Sequence, residues 1–92
     1  MSNLSEDSAE RARKYIATFE TEFQRATTAN EDLIVKTAGI KRVHYTIQRY
    51  LQDARYYIEN GKPTTSLASV AYAEGLLDAL LILDLAESKP ME

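Results

Sequence analysis

The chain has 92 residues, 45% of them hydrophobic and 27% charged, with three glycines, two prolines, one histidine, no cysteine and a net charge of −3. This describes one domain with a modest core, and it excludes disulfides, thiolate metal sites and cysteine nucleophiles. The charge is uneven: residues 1–35 carry four basic and seven acidic side chains, residues 36–62 six and two, and residues 63–92 one and five. A middle of +4 lies between ends of −3 and −4, which argues against nucleic-acid binding by the whole surface and allows one local basic face.

Ser5, followed by Glu6 and Asp7, supplies a cap and negative charge for a helix N-terminus. Ala12, Tyr15, Ile16, Phe19, Phe23 and Ala26 recur at spacings of three and four, which predicts an amphipathic helix over about 5–27. Residues 28–39 read as a linker. Thr28 and Glu31 could form a capping box there, giving a short helical turn near 31–38 or a frayed start to the next helix, and Gly39 interrupts the helical pattern at its end.

The period returns with Ile40, Val43, Ile47, Tyr50, Leu51, Ala54, Tyr57 and Ile58, which predicts a second helix over about 40–60. Asn60-Gly61 supplies a left-handed cap, and Lys62-Pro63 opens a third helix with proline where no hydrogen bond is lost. So short a link joins antiparallel neighbours. The third helix is expected over about 63–87, with a disordered tail at 88–92. The fold class is therefore all-α, an up-and-down three-helix bundle. The chain start lacks the apolar core of a signal peptide, and the most apolar stretch, Leu76 to Leu85, is about half of what a membrane span needs. A soluble cytoplasmic protein without a membrane role is expected.

Glu74 and Asp78 fall among the apolar residues of the third helix, on one face with Leu67, Val70, Ala71, Leu81 and Leu85. A carboxylate so placed finds a partner, loses its charge or marks a covered surface. The expected answer is a polar network with tyrosine hydroxyls or Arg55 of the second helix. A metal site would add histidines at Glu-x-x-His spacing, which the chain lacks, and no serine pairs credibly with His44 for nucleophilic catalysis. No catalytic residue, metal or cofactor is expected. Gly75, near Ala71, Ala73 and Ala79, reads as a close-packing seam beneath a bulky side chain.

Two surfaces are candidates for partner binding. Arg42, Tyr45, Arg49 and Tyr56, with Lys41, interleave basic and aromatic groups on the outer side of the second helix, and tyrosine with arginine anchors many protein interfaces. A nucleic-acid partner is the less favoured one there, because few positive charges are involved and the flanks are acidic. Leu76, Leu80 and Leu83 would form an outer apolar face of the third helix, and they could pair two copies of the chain across a two-fold axis.

The segments Tyr50-Leu-Gln-Asp53-Ala54-Arg-Tyr-Tyr57-Ile-Glu-Asn-Gly61 and Ala71-Tyr72-Ala73-Glu74-Gly75-Leu76-Leu77-Asp78-Ala79-Leu80 resemble an archaeal family of unknown function, numbered three-five-seven. The resemblance covers about 35 residues and implies a small bundle of three main helices. It also implies that Asp53, Tyr72, Glu74 and Asp78 belong to the signature of the fold. The chain departs from the family pattern at Lys62-Pro63, where aspartate often follows the glycine, and at Asp84, where glycine is frequent. In length, acidity and helical make-up the chain is also similar to a small accessory subunit of the B-family replicative DNA polymerase of Sulfolobus-type archaea. That likeness rests on general character. It implies a non-catalytic subunit acting in DNA replication, with the polymerase as its protein partner.

Overall fold

A computed structural model describes residues 3–90, with side chains from residue 8 onward. The described residues form three helices and no strand: α1 (Asn3–Arg25), α2 (Thr37–Glu59) and α3 (Pro63–Ile82). The chain is all-α. It divides into two compact units, Met1–Leu33 and Ile34–Glu92.

The first unit is built on α1. Phe19 and Phe23, one turn apart, stack with ring centroids 6.2 Å apart, and Tyr15 and Ile16 continue the same exposed apolar stripe. Lys14 pairs with Glu10 at 3.8 Å across one turn, an exposed contact of little energetic consequence. The expected Ser5 cap involves a side chain outside the described residues.

The second unit is a helical hairpin. Residues 26–36 are not helical, so the short turn expected near 31–38 does not form; the second helix instead starts before residue 40, with α2 beginning at Thr37 after Lys36 in an extended conformation and running through Gly39 without interruption. Leu33-Ile34-Val35 offers no amphipathic period, and its β-branched residues are poor helix formers. From Lys36 onward the carbonyl ladder takes hold, with the Gly39 and Ile40 amides donating to the Lys36 carbonyl at 3.0 and 3.3 Å.

Both hairpin helices end in the same way. Gly61 takes the left-handed φ of 74°, the Lys62 amide donates to the Tyr57 carbonyl at 2.8 Å and the Gly61 amide to the Ile58 carbonyl at 3.5 Å. These are the paired bonds of a Schellman ending, and they leave Lys62 positioned to precede Pro63 at the first turn of α3. At the end of α3, Asp84 takes φ 59°, the Leu85 amide donates to the Leu80 carbonyl at 2.8 Å and the Asp84 amide to the Leu81 carbonyl at 3.1 Å. The helix therefore stops at Ile82 and not near 87. Asp84 occupies a left-handed position that glycine favours and that aspartate, with its short polar side chain, is among the few other residues to enter.

The α2–α3 seam follows a seven-residue rhythm. Ile40, Val43, Ile47, Tyr50, Ala54 and Tyr57 of α2 face Ser66, Ser69, Ala73, Leu76 and Leu80 of α3, and all of them are buried or half-buried. Ala54 is 5% exposed and Ala73 2%. The Ser66 hydroxyl donates to the Ala54 carbonyl at 2.7 Å, crossing from one helix to the other, and the Ser69 hydroxyl donates to the Thr65 carbonyl at 3.1 Å. An unpaired buried hydroxyl would cost about 1–3 kcal/mol, so these bonds make a serine-lined seam tolerable. The pairing of Ala54 with Ser66, and of Tyr50 with Tyr72 further along, shows that the helices run antiparallel.

Two sequence expectations are corrected by this seam. Leu76, Leu80 and Leu83 do not form an outer face: Leu80 is buried and Leu76 half-buried against α2, and only Leu83 is exposed. Helix α3 is apolar almost all round, so periodicity could not choose its inner side, and the small serines and alanines that allow close approach decide it instead. Gly75 lies on the exposed side, and a Cβ added there would meet nothing within 4 Å. It is not beneath a bulky side chain.

The strained ending gives a test. Asp84→Gly removes the Cβ from a left-handed residue, a gain of about 1–2 kcal/mol, partly offset by about 0.4–1 kcal/mol of extra unfolded-chain entropy. Thermal unfolding followed by circular dichroism should show a higher midpoint for Asp84→Gly and a lower one for Asp84→Val, whose β-branch is incompatible with positive φ.

Candidate functional site

Helix α2 turns one flank to α3 and the opposite flank to solvent. Arg42, Tyr45, Arg49, Gln52 and Tyr56 recur at three and four residues along that outer flank, and all are exposed. A cleft of about 330 Å³ lies between Arg42, Tyr45, Thr46, Arg49, Tyr50 and Asp53. The Thr46 hydroxyl turns back to the Arg42 carbonyl at 2.9 Å. Tyr56 meets Tyr57 edge-on, with centroids 5.6 Å apart and planes at 70°. Among the described residues neither arginine makes an ion pair; Lys14 with Glu10 is the pair present. The four sequence candidates on α2 thus share one surface, which Lys41 flanks.

Asp53, Tyr72, Glu74 and Asp78 are not joined by hydrogen bonds. Asp53 is half-buried beside the cleft, while Tyr72, Glu74 and Asp78 are exposed. Tyr72 packs its ring on Tyr50, with centroids 4.5 Å apart and planes at 52°. Among the described residues, no tyrosine hydroxyl or Arg55 group donates to Glu74 or Asp78. The expected polar network is corrected to an aromatic pair and two solvated carboxylates. The cause is again the side of α3 that faces α2: with Ser66, Ser69 and Ala73 inward, Glu74 falls on the flank of the seam, where water reaches it.

Glu74 borders an apolar groove of about 280 Å³ formed by Ile47 and Leu51 of α2 and Val70, Ala73 and Leu77 of α3. Leu77 is 41% exposed, and Leu67 and Ile58 extend the apolar surface beyond the groove. A second apolar recess of about 200 Å³ opens at the far end of the hairpin, where Leu76, Ala79, Leu80, Leu83 and Leu85 meet Val35, Gly39, Ile40 and Val43. Leu76, Leu80 and Leu83 therefore come together as the lining of a recess and not as a convex face. Sequence reasoning missed Leu51 and Val70 as groove walls. The readable signal was the alternating spacing of Leu67, Val70, Glu74, Leu77 and Leu81, which forms a second stripe beside the serine seam.

Among the described residues no three His, Asp or Glu side chains stand close enough to hold a metal ion. His44 is exposed. Helix α3 is long and apolar enough, with a mean hydropathy of 1.3, to cross a membrane by length and composition alone. The stretch Leu76–Leu85 understated this, because the apolar character extends over the whole helix. Glu74 and Asp78 in its inner turns oppose such a use, since a charge at the centre of a span costs about 2.5–3.5 kcal/mol on insertion scales.

These features define a class: an all-α chain whose second unit is a tightly seamed helical hairpin carrying an aromatic pair, a basic stripe and apolar recesses. The chain belongs to the family described as "Protein of unknown function (DUF357)", whose family model matches residues 14–86. That span takes in the C-terminal half of α1 and all of α2 and α3. No curated protein and no solved structure gives a significant match.

The open position of Gly75 makes a second test. A glycine in a helix interior costs about 1 kcal/mol relative to alanine. With space for the added methyl, Gly75→Ala should raise the thermal midpoint by about 4–8 °C, as expected for that gain in a domain of this size. An unchanged or lowered midpoint would mean that Gly75 is closely covered.

Proposed function

We propose that the chain is a non-catalytic helical interaction module, and more narrowly a small cytoplasmic accessory subunit of an archaeal B-family replicative DNA polymerase. The observation that carries the reading is the apolar groove of Ile47, Leu51, Val70, Ala73 and Leu77 beside Glu74. A groove of this kind, with one charged group at its edge, suits an apolar anchor from a protein partner, the charge fixing orientation more than adding affinity. The narrower assignment draws on the likeness in length, acidity and helical make-up to the accessory subunit of that polymerase, with DNA replication as the process.

Capture of the tagged chain from its native host after nuclease treatment, followed by mass spectrometry, tests this. Recovery of the polymerase catalytic subunit is expected with the unmodified chain. The double change Leu51→Gln with Leu77→Gln should reduce that recovery at least tenfold, because two partly exposed anchors are lost, while the helical circular dichroism signal persists. Recovery of the chain alone, or recovery indifferent to the substitutions, would contradict the proposal. A dimer by light scattering at micromolar concentration would instead support self-association through the recess containing Leu83.

A further inference from the structure

We propose that the outer stripe of α2, made by Arg42, Tyr45, Arg49 and Tyr56, binds single-stranded nucleic acid through phosphates and base faces. The four residues alternate cation and aromatic ring along one exposed line, over a length of about 21 Å of helix. Tyr45 and Tyr56 are each 60% exposed, and the edge contact from Tyr57 props the Tyr56 ring. Rings presented in this way stack on bases that are not already stacked in a duplex, which selects a single strand. Arg42 and Arg49 border one cleft with Tyr45 and Tyr50 and have no carboxylate within ion-pair distance among the described residues.

Charge complementarity supports this occupant. The segment 36–62 that contains the stripe carries six basic and two acidic side chains. Acidic flanks speak against nucleic acid in the sequence, but within the hairpin unit the carboxylates of Glu74 and Asp78 belong to α3 and not to this stripe, and Glu59 follows Tyr56 only at its C-terminal end. Asp53 is the one carboxylate lining the cleft, and it limits affinity by repelling phosphate. The proposal concerns the isolated chain and does not depend on the polymerase reading.

Fluorescence anisotropy of a labelled oligothymidylate about 20 nucleotides long, titrated with the full chain, provides the test. Binding is expected at about 50 mM salt, and it should weaken by about 200 mM with a log–log slope of about −1.4 to −2, as two or three phosphate contacts require. The double variant Arg42→Gln with Arg49→Gln should bind at least tenfold more weakly and lose about 1.4 of that slope. Tyr45→Ala should weaken binding about tenfold without changing the slope, and Tyr45→Phe should preserve it. Asp53→Asn should tighten binding about two- to threefold. No anisotropy change up to about 100 µM chain at the lower salt would overturn the proposal. So would binding by the double arginine variant equal to that of the unmodified chain, or polyglutamate binding as tightly as the oligonucleotide, which would mark a surface for acidic protein segments.

Discussion

The seam of the hairpin is made by small side chains of α3, Ser66, Ser69 and Ala73, that receive the larger side chains of α2, and small meets small where Ala54 lies against Ser66. The Ser66 hydroxyl reaches the Ala54 carbonyl at 2.7 Å, so closeness and polar satisfaction are achieved by the same residue. The rest of the hairpin depends on this contact. It selects the inner side of α3, places Leu80 between the helices and leaves Leu77 and Val70 on the flank. It also lies beside the Lys62-Pro63 turn, where the Schellman ending of α2 holds the two helices in hydrogen-bonding reach.

From this one constraint the surface divides. One flank of the seam is apolar and bordered by Glu74; the far side of α2 is basic and aromatic; the open end, where larger side chains replace the small ones, forms a recess. A hairpin with surfaces of different chemistry on different sides suits a protein that contacts more than one thing at once. The two carboxylates of α3 are both exposed, and Glu74 lies at the edge of the apolar groove.

Much of this was readable in the sequence, and the failures share a cause. The number of helices, the Asn60-Gly61 ending and the antiparallel α2–α3 link come from period, glycine and proline, because each leaves a local and unambiguous signal. The inner side of α3 did not, because Leu76, Leu77, Leu80, Leu81 and Leu83 leave no polar side to mark solvent. Ser66 and Ser69 carried the missing information, but a serine reads as polar until its acceptor is known, and the acceptor of Ser66 is a backbone carbonyl twelve residues away. The Glu74 and Asp78 network failed for the same reason: once the inner side is wrong, every neighbour assigned to a carboxylate is wrong. The outer stripe of α2 was legible throughout, because Arg42, Tyr45, Arg49 and Tyr56 lie opposite a clear apolar face.

The side that α3 shows to α2 governs each hairpin surface to which α3 contributes, and the absence of cysteine from the chain makes that side directly measurable. Leu80→Cys and Leu77→Cys would be made singly, and the rate of reaction of each thiol with a maleimide reagent measured under native conditions. Rapid labelling at position 77 and strong protection at position 80 are expected, with protection lost on denaturation. Rapid labelling at 80 with protection at 77 would place the serines outside the seam and contradict it.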